Sequence, residues 1–167
     1  MTIFFFFKIL LRWMRQRAFG AQARLHGTRL LFTARDVKAL YGLGSVVAIA
    51  LLLTLLDSND PRWTAVFPLL FLALFCYHWP ADLEINDSVL VARFWWGKRV
   101  RIAWKDVGSV AYRPADGSTF VFAVDGSEVQ HSGFHSDGGR FQAEVKARAG
   151  VTQIADWDAV PSLLAAR

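Results

Sequence analysis

The chain has 167 residues, 54% of them hydrophobic, and combines a formal net charge of +5 with a pI of about 9.8. Such a charge is typical of proteins that bind nucleic acid, but residues 80–167 carry ten basic and eleven acidic side chains and lack a net basic charge. Nucleic acid is therefore excluded as the expected partner. The single cysteine, Cys76, excludes a disulfide framework within the chain.

Residues 1–38 are predicted to form a basic N-terminal arm, because they carry eight basic side chains and one acidic side chain. Apolar residues repeat at helical spacing over residues 3–17, which predicts a basic amphipathic helix. We expect this helix to lie on an anionic membrane surface, and the alternative is packing on the protein's own domain or on a partner. The residues expected at the membrane surface are Phe4, Phe7, Lys8, Leu11, Arg12 and Arg15. Residues 18–32 are predicted to be a polar connector.

Two apolar runs without charged side chains, residues 39–56 and 64–79, predict a transmembrane helical hairpin over residues 39–79. At about 1.5 Å per residue, these helices rise about 27 Å and about 24 Å, against a bilayer core of about 30 Å. The second run needs its flanks, where Trp63 and Trp79 lie, or a thinned bilayer. The basic residues before the first run place both termini in the cytoplasm and the loop of residues 57–63 outside.

Three local signals describe how the hairpin helices begin and pack. Thr33 and Asp36 resemble a capping box, which predicts a helix start near Ala34. Pro68 is expected to kink the second helix or to lie within its first turns, and Pro61 suits the first turn of that helix. Small residues allow helices to approach closely in lipid, and here they predict packing on the second helix or on another subunit. These residues are Gly42, Gly44 and Ser45.

From residue 80 onward, the hydrophobic pattern changes to a period of two. Six short strands between residues 82 and 132, separated by turns, predict an antiparallel sandwich or a partly open barrel. The pattern extends the second of these strands through Trp96 and turns the carboxylates of Asp82, Glu84 and Asp87 toward solvent.

A helix is predicted over residues 137–149, with Gly150 placed to end it. The closing segment is expected to pack through Ile154, Trp157, Val160 and Leu163.

Three stretches carry a resemblance to a known family: residues 83–93, 101–110 and 134–141. The second stretch contains a Trp with an acidic residue two positions later, followed by an aliphatic strand, at Trp104 and Asp106 and then Val107 and Val110. Together with the hairpin, this order of elements resembles the bacterial pleckstrin-homology-like (PH-like) membrane proteins, including the YcxB-like group. The resemblance implies an α+β membrane protein of the bacterial inner membrane. Its hairpin is followed by a small cytoplasmic PH-like β-barrel or sandwich with a C-terminal helix, over residues 80–167.

One basic cluster with an aromatic residue lies within residues 80–167. Its members are Arg93, Trp95, Lys98, Arg99 and Arg101. Arg93, Arg99 and Arg101 are expected to share one face of the sheet with Trp95 between them. Such a face binds anionic lipid headgroups or an acidic protein partner, and the remaining interpretation is a solvated face.

A second cluster brings His131, Ser132, His135 and Asp137 within seven residues. A zinc site would need three or four rigidly held ligands, and a Ser-His-Asp site would need an oxyanion hole. The glycines at 133, 138 and 139 argue against a helix that would align the two histidines. We therefore expect a polar loop in which Ser136 or Asp137 caps the following helix, and we predict no catalytic residue, metal or cofactor.

These observations favour a non-enzymatic, membrane-anchored adaptor or accessory subunit that binds and stabilises a membrane protein complex through its PH-like domain and hairpin. Its expected partners are membrane lipids and other membrane protein subunits. One alternative is a sensor of anionic lipids. A second alternative is a metal-dependent enzyme that uses His131, His135 and Asp137.

Overall fold

The computed structural model describes residues 2–57 and 66–159. Some of the predictions fall outside the described residues: those for Pro61, Trp63, Val160 and Leu163, and the loop beyond residue 57. The side chains of Phe4, Phe7 and Leu11 are also outside the description. The described helices are α1 (Thr2–Gly20), α2 (Arg35–Asp57), α3 (Val66–Tyr77) and α4 (Gly138–Ala149). The described strands are β1 (Arg24–His26), β2 (Arg29–Phe32), β3 (Asp82–Ile85), β4 (Val89–Arg93), β5 (Arg99–Ala103), β6 (Val107–Arg113), β7 (Ser118–Ala123), β8 (Glu128–His131) and β9 (Ala155–Asp156).

The chain divides into two compact units. The first unit, which we call the sheet domain, contains Met1–Ala34 together with Ala81–Arg167, and the second, the helical unit, contains Arg35–Pro80. The helical unit is thus inserted in the sequence between two parts of one domain. This grouping differs from the predicted division, in which residues 1–38 formed an arm apart from a domain of residues 80–167.

The N-terminal residues join the sheet domain through a hairpin that the sequence analysis missed. Strands β1 and β2 pair antiparallel around Gly27, whose φ of 62° suits a glycine. Strand β2 then pairs antiparallel with β3, and Leu30 lies opposite Ile85 while Phe32 lies opposite Leu83. The polar connector predicted for residues 18–32 is therefore wrong: residues 24–32 supply two strands of a five-stranded sheet in the order β1-β2-β3-β4-β5.

The second sheet of the domain contains four described strands in the order β8-β7-β6-β9. Neighbouring strands pair antiparallel except β6 and β9, which run parallel. Helix α4 follows β8; Asp137 caps its start by accepting a hydrogen bond from the Arg140 amide, and Gly150 ends it in the left-handed conformation. The predicted α+β fold with antiparallel sheets and a helix near the C-terminus is confirmed.

Alternate residues of both sheets and one face of α4 form the main core of the sheet domain. Phe32 and Phe141 are fully buried, and their rings meet edge to face with centroids 5.3 Å apart. Trp104 is also buried, and its indole Nε1 donates to the Asn86 carbonyl at 2.9 Å. Ile154 packs against this core, and the Trp157 ring packs on Phe120 in a smaller cluster with the two rings tilted by 42°, so both residues pack as the sequence predicted.

Helix α1 confirms the predicted N-terminal helix, and its second half packs on the sheet domain. Met14 and Ala18 are buried, and the Ala18 carbonyl accepts a hydrogen bond from the Asp137 amide. On other faces of the helix, Ile9 and Trp13 are exposed. The C-terminal half of α1 therefore packs on the protein's own domain, which was one of the two alternatives for this helix.

The helical unit consists of α2 packed on α3 in the part of the chain that the structure describes. Within α2, Arg35–Leu55 is long and apolar enough to cross a bilayer, whereas α3 has 12 residues and falls short of such a span. Pro68 lies in the first turn of α3, which is one of the two alternatives predicted for it. Gly44 faces the Phe75 ring of α3, which confirms a small-residue contact between the two helices.

The burial of Phe32 predicts that the N-terminal hairpin contributes to the stability of the sheet domain. We expect Phe32→Ala to lower the free energy of unfolding by about 3–5 kcal/mol, because it opens a cavity against Phe141. Denaturant unfolding of the full chain in mild detergent, followed by tryptophan fluorescence, measures this loss. Leu25→Ala in the same hairpin is the control, because Leu25 is 69% exposed. Equal effects of the two substitutions would contradict the assignment of β2 to the core.

The glycines of α2 predict an asymmetric response to the same substitution. A Cβ at Gly44 would lie 2.6 Å from Phe75 Cε2, whereas one at Gly42 would meet nothing within 4 Å. Alanine raises helix propensity at both positions, but at Gly44 it forces Phe75 to move. We expect Gly44→Ala to have a lower thermal unfolding midpoint in detergent than Gly42→Ala. A midpoint for Gly44→Ala at or above that of Gly42→Ala would show that Phe75 yields without cost.

Candidate functional site

The register of the five-stranded sheet places a row of arginines on the face opposite the core. Arg93 of β4 lies directly opposite Arg99 of β5, and Arg101 lies opposite Val91. Their neighbours Leu90 and Ile102, which pair with each other, point into the core. Arg93, Arg99 and Arg101 therefore share one exposed face, as the sequence predicted. We call this surface the basic face.

Trp95 lies beside this face in a turn, and the prediction that the strand continues through Trp96 is wrong. Strand β4 ends at Arg93, and the chain turns through Gly97, whose φ is 88°. Trp95 is 57% exposed and Trp96 is 47% exposed. The Trp96 ring stacks on Phe94 at 4.9 Å, and the exposed Lys98 ammonium lies 5.9 Å from the Phe94 centroid. The alternating pattern failed here because aromatic residues also fit the tip of a hairpin.

Glu84 is the acidic centre of the basic face, and its predicted exposure to solvent is wrong. It is 5% exposed and forms ion pairs with Arg29 of β2 and Arg93 of β4, the first at 2.9 Å. Sequence reasoning missed Arg29 because only the pairing of β2 with β3 brings it to Glu84. The alternation of Arg29 and Leu31 with buried Leu30 and Phe32 is the signal that would have placed it on this face.

The charges on the basic face do not balance. Arg93 and Arg99 lie directly opposite each other, an arrangement that destabilises a sheet because the charges are alike. Within the described residues, the structure gives Arg99 and Arg101 no acidic partner. Arg24 of β1 lies opposite Leu31 and adds a further exposed cation, whereas Asp82 opposite Arg93 adds an acid. The face therefore presents a net positive charge at a cost in stability.

The other predicted site residues divide into three groups. Lys8 and Arg12 of α1 are exposed, as a membrane-surface position requires. Arg15 instead contacts the sheet domain, where its Nη1 donates to the Ala115 carbonyl at 3.3 Å. In α2, Gly44 contacts Phe75, Ser45 donates its hydroxyl to the Tyr41 carbonyl, and Gly42 meets no neighbour within 4 Å of a Cβ position.

The histidine cluster comes together in the structure, where the Ser132 hydroxyl lies 2.8 Å from His135 Nδ1. The rings of His131 and His135 lie 5.1 Å apart, but the described residues contain no group of three or more potential metal ligands. His135 Nδ1 accepts from the Ser132 amide, and its Nε2 donates to the Ala81 carbonyl at 2.8 Å. Asp137 caps α4, as predicted. Hydrogen bonds to the backbone thus hold this loop together.

His131 is the deeply buried member of the cluster, and its pKa is strongly shifted. It is 1% exposed, lies between Phe32 and Phe141, and its Nε2 donates to the Ser136 carbonyl at 3.1 Å. Burial, with a contribution from neighbouring His135, lowers the pKa of His131 from 6.5 to about 3. The imidazole is therefore neutral at physiological pH.

Comparisons with known proteins give little further information. No family model matches the chain, and no curated protein matches it. The chain is similar to a chain in the solved structure of the Spt16D Pob3N heterodimer, with a TM-score of 0.36 and 13% sequence identity. That similarity covers 46% of this chain and 45% of the other, so the chain spans less than half the length of the protein it matches.

The buried neutral His131 predicts a defined pH dependence. Between pH 6.5 and about 3, the unfolded chain binds a proton at His131 and the folded chain does not. The free energy of unfolding therefore falls as the pH falls below 6.5, by up to about 1.4 kcal/mol per pH unit. We expect His131→Phe to reduce by about one the number of protons taken up on unfolding, and so to flatten the decline of stability with falling pH. Denaturant unfolding between about pH 5 and about pH 7 measures this slope.

Val129→Ala is the control for this experiment, because Val129 is buried on the same strand and does not titrate. It should lower stability equally at each pH and leave the slope intact. A slope that is unchanged in His131→Phe would show that His131 does not carry this dependence.

Proposed function

We propose that this protein is a non-enzymatic, membrane-anchored adaptor or accessory subunit of the bacterial inner membrane. Its basic face binds an acidic segment of a membrane protein partner and so stabilises the partner's complex. The observation that carries this proposal is the exposed row of Arg93, Arg99 and Arg101, in which two like charges lie directly opposite each other.

The chemistry of the row favours an acidic protein partner. A guanidinium group binds a carboxylate through two parallel hydrogen bonds, and carboxylates placed beside Arg99 and Arg101 would offset the repulsion between the arginines. Arginine and tryptophan are the residues most enriched among those that dominate binding energy at interfaces. Trp95, exposed at the adjoining turn, supplies the apolar anchor of such a surface.

The insertion of the helical unit supports a membrane anchor that crosses twice. Strand β2 precedes α2, strand β3 follows α3, and the two strands are hydrogen-bonded neighbours in one sheet. A segment whose two ends lie in one domain begins and ends on the same side of a bilayer. If α2 crosses, the chain must therefore cross back before β3. The 12 residues of α3 rise about 18 Å, so this crossing needs the flanking residues as far as Trp79.

The remaining parts of the proposal follow from charge and fold. The basic residues before α2 support a cytoplasmic position for both termini. Phe4, Phe7 and Leu11, with the exposed cations of Lys8 and Arg12, would lie at the membrane surface. Two packed sheets followed by a helix support a PH-like domain of the kind that the sequence resembles.

The proposal predicts that charge reversal on the basic face releases the partner. The test is purification of the full chain in mild detergent from its native membrane, with Arg99→Glu and Arg101→Glu combined in one variant. We expect the wild type to bring down a defined membrane protein in a fixed ratio and the variant to lose it.

Arg140→Glu combined with Lys146→Glu is the matched control, because these exposed cations lie on α4. It makes the same change in net charge and should keep the partner. If the wild type purifies alone, or if both variants lose the partner equally, the adaptor function is wrong.

A second candidate, a sensor of anionic lipids, is favoured by the turn between β4 and β5. Exposed Trp95 and Trp96 beside the Lys98 ammonium are suited to a bilayer interface. Native mass spectrometry of the same preparations distinguishes the two functions. Retained anionic phospholipid that is lost in the arginine variant, without any protein partner, would establish the lipid sensor in place of the adaptor.

A further inference from the structure

The turn between β4 and β5, residues 94–98, carries a cluster of aromatic rings, and we call it the aromatic turn. The Trp96 ring stacks on Phe94 and meets the Trp95 ring edge to face, with centroids 5.9 Å apart. Although the rings pack on one another, Trp95 and Trp96 each keep about half of their surface exposed. An exposed apolar patch of this kind, beside charged residues, is typical of an interaction site.

The register of the sheet shows which end of the sheet domain carries the aromatic turn. Strand β2 stops at Phe32, opposite Leu83 of β3, and Asp82 at the start of β3 lies opposite Arg93 at the end of β4. The aromatic turn follows Arg93 directly. It therefore lies at the end of the sheet where the chain leaves the domain after β2 and returns to it before β3. Strands β3 and β4 are neighbours, about 4.8 Å apart, so the turn lies close to the returning chain.

This position indicates a bilayer as the surface that the aromatic turn meets. The segment between β2 and β3 contains Arg35–Leu55, which is long and apolar enough to cross a membrane. If this segment crosses, the turn lies at the end of the sheet from which the chain enters the bilayer. Tryptophan rings favour the headgroup level of a bilayer. The exposed Lys98, next to the like-charged pair of Arg93 and Arg99, matches an anionic surface.

We infer that the aromatic turn docks on the anionic bilayer surface, with Trp95 and Trp96 at headgroup level and Lys98 beside the phosphate groups. The inference rests on the membrane anchor of the proposed function and does not depend on what the basic face binds. Side chains of the basic face project from the surface of the sheet and not from its end. Docking of the turn therefore holds the sheet domain at the membrane while Arg101 stays accessible to a partner.

The test places the full chain in nanodiscs made of equal parts of phosphatidylcholine and phosphatidylglycerol, a fraction of which carries a spin label in the headgroup. The chain is labelled with fluorotryptophan, and each fluorine NMR signal is assigned by its Trp→Phe variant. Trp104 is the internal control, because it follows β5, whose 5 residues rise about 17 Å away from the turn. We expect the spin label to broaden the signals of Trp95 and Trp96 strongly and to leave the Trp104 signal visible.

Charge reversal tests the contact with the headgroups. Lys98→Glu should reduce the broadening of Trp95 and Trp96. Lys105→Glu makes the same charge change at an exposed position just beyond the other end of β5 and should leave the broadening intact. Equal effects of these two substitutions would overturn the inference.

The same spectra separate a failure of the inference from a failure of the membrane anchor. If the chain stays in the nanodisc and the signals of Trp95 and Trp96 are no broader than that of Trp104, the inference is wrong and the anchor stands. If the chain separates from the nanodisc, the membrane anchor is wrong and the inference falls with it.

Discussion

The pairing of β2 with β3 is the contact on which the sheet domain depends. It joins strands separated in sequence by the whole helical unit, and closing a flexible loop of that length costs about 3 kcal/mol beyond a constant term. Burial of Leu30 and Phe32 contributes about 1.5–3 kcal/mol for each side chain, which is of the same size as that cost. A preformed helical unit lowers the cost further, since Tyr41 near its start and Trp79 near its end lie in ring contact, 6.3 Å apart.

Local patterns in the sequence predicted the elements whose partners are near in sequence, and failed where a distant partner decides the structure. The antiparallel meander, α4 with its Asp137 and Gly150 caps, and the shared face of Arg93, Arg99 and Arg101 all follow from spacing and turn residues. Strands β1 and β2 have three and four residues, so their short alternation predicts a strand only when it is read together with the distant partner β3. The burial of Glu84 was missed for the same reason, because Arg29 reaches it through that pairing.

The Arg29–Glu84–Arg93 cluster also explains how a sheet tolerates several cations on one face. Its carboxylate is taken out of water, but two guanidinium groups satisfy it, so the cost of desolvation is offset by charge-assisted hydrogen bonds. The pairs involve half-exposed arginines, so their net contribution to stability is modest. Two arginines share one glutamate, and Arg99 and Arg101 add further positive charge. The cluster therefore fixes the position of the row without neutralising it.

The packing of the core fixes the register of β4 and β5, and this register determines where the row of arginines lies. A slip of one residue between β4 and β5 would exchange Arg99 and Arg101 with the inward-facing Val100 and Ile102, which would bury two charges. Val91 lies on the basic face and is 6% exposed, which fits long arginine stems covering it while their charged ends reach water. Substitution of these arginines changes apolar packing as well as charge, so an effect on binding can be assigned to charge only where the stability of the sheet is measured alongside it.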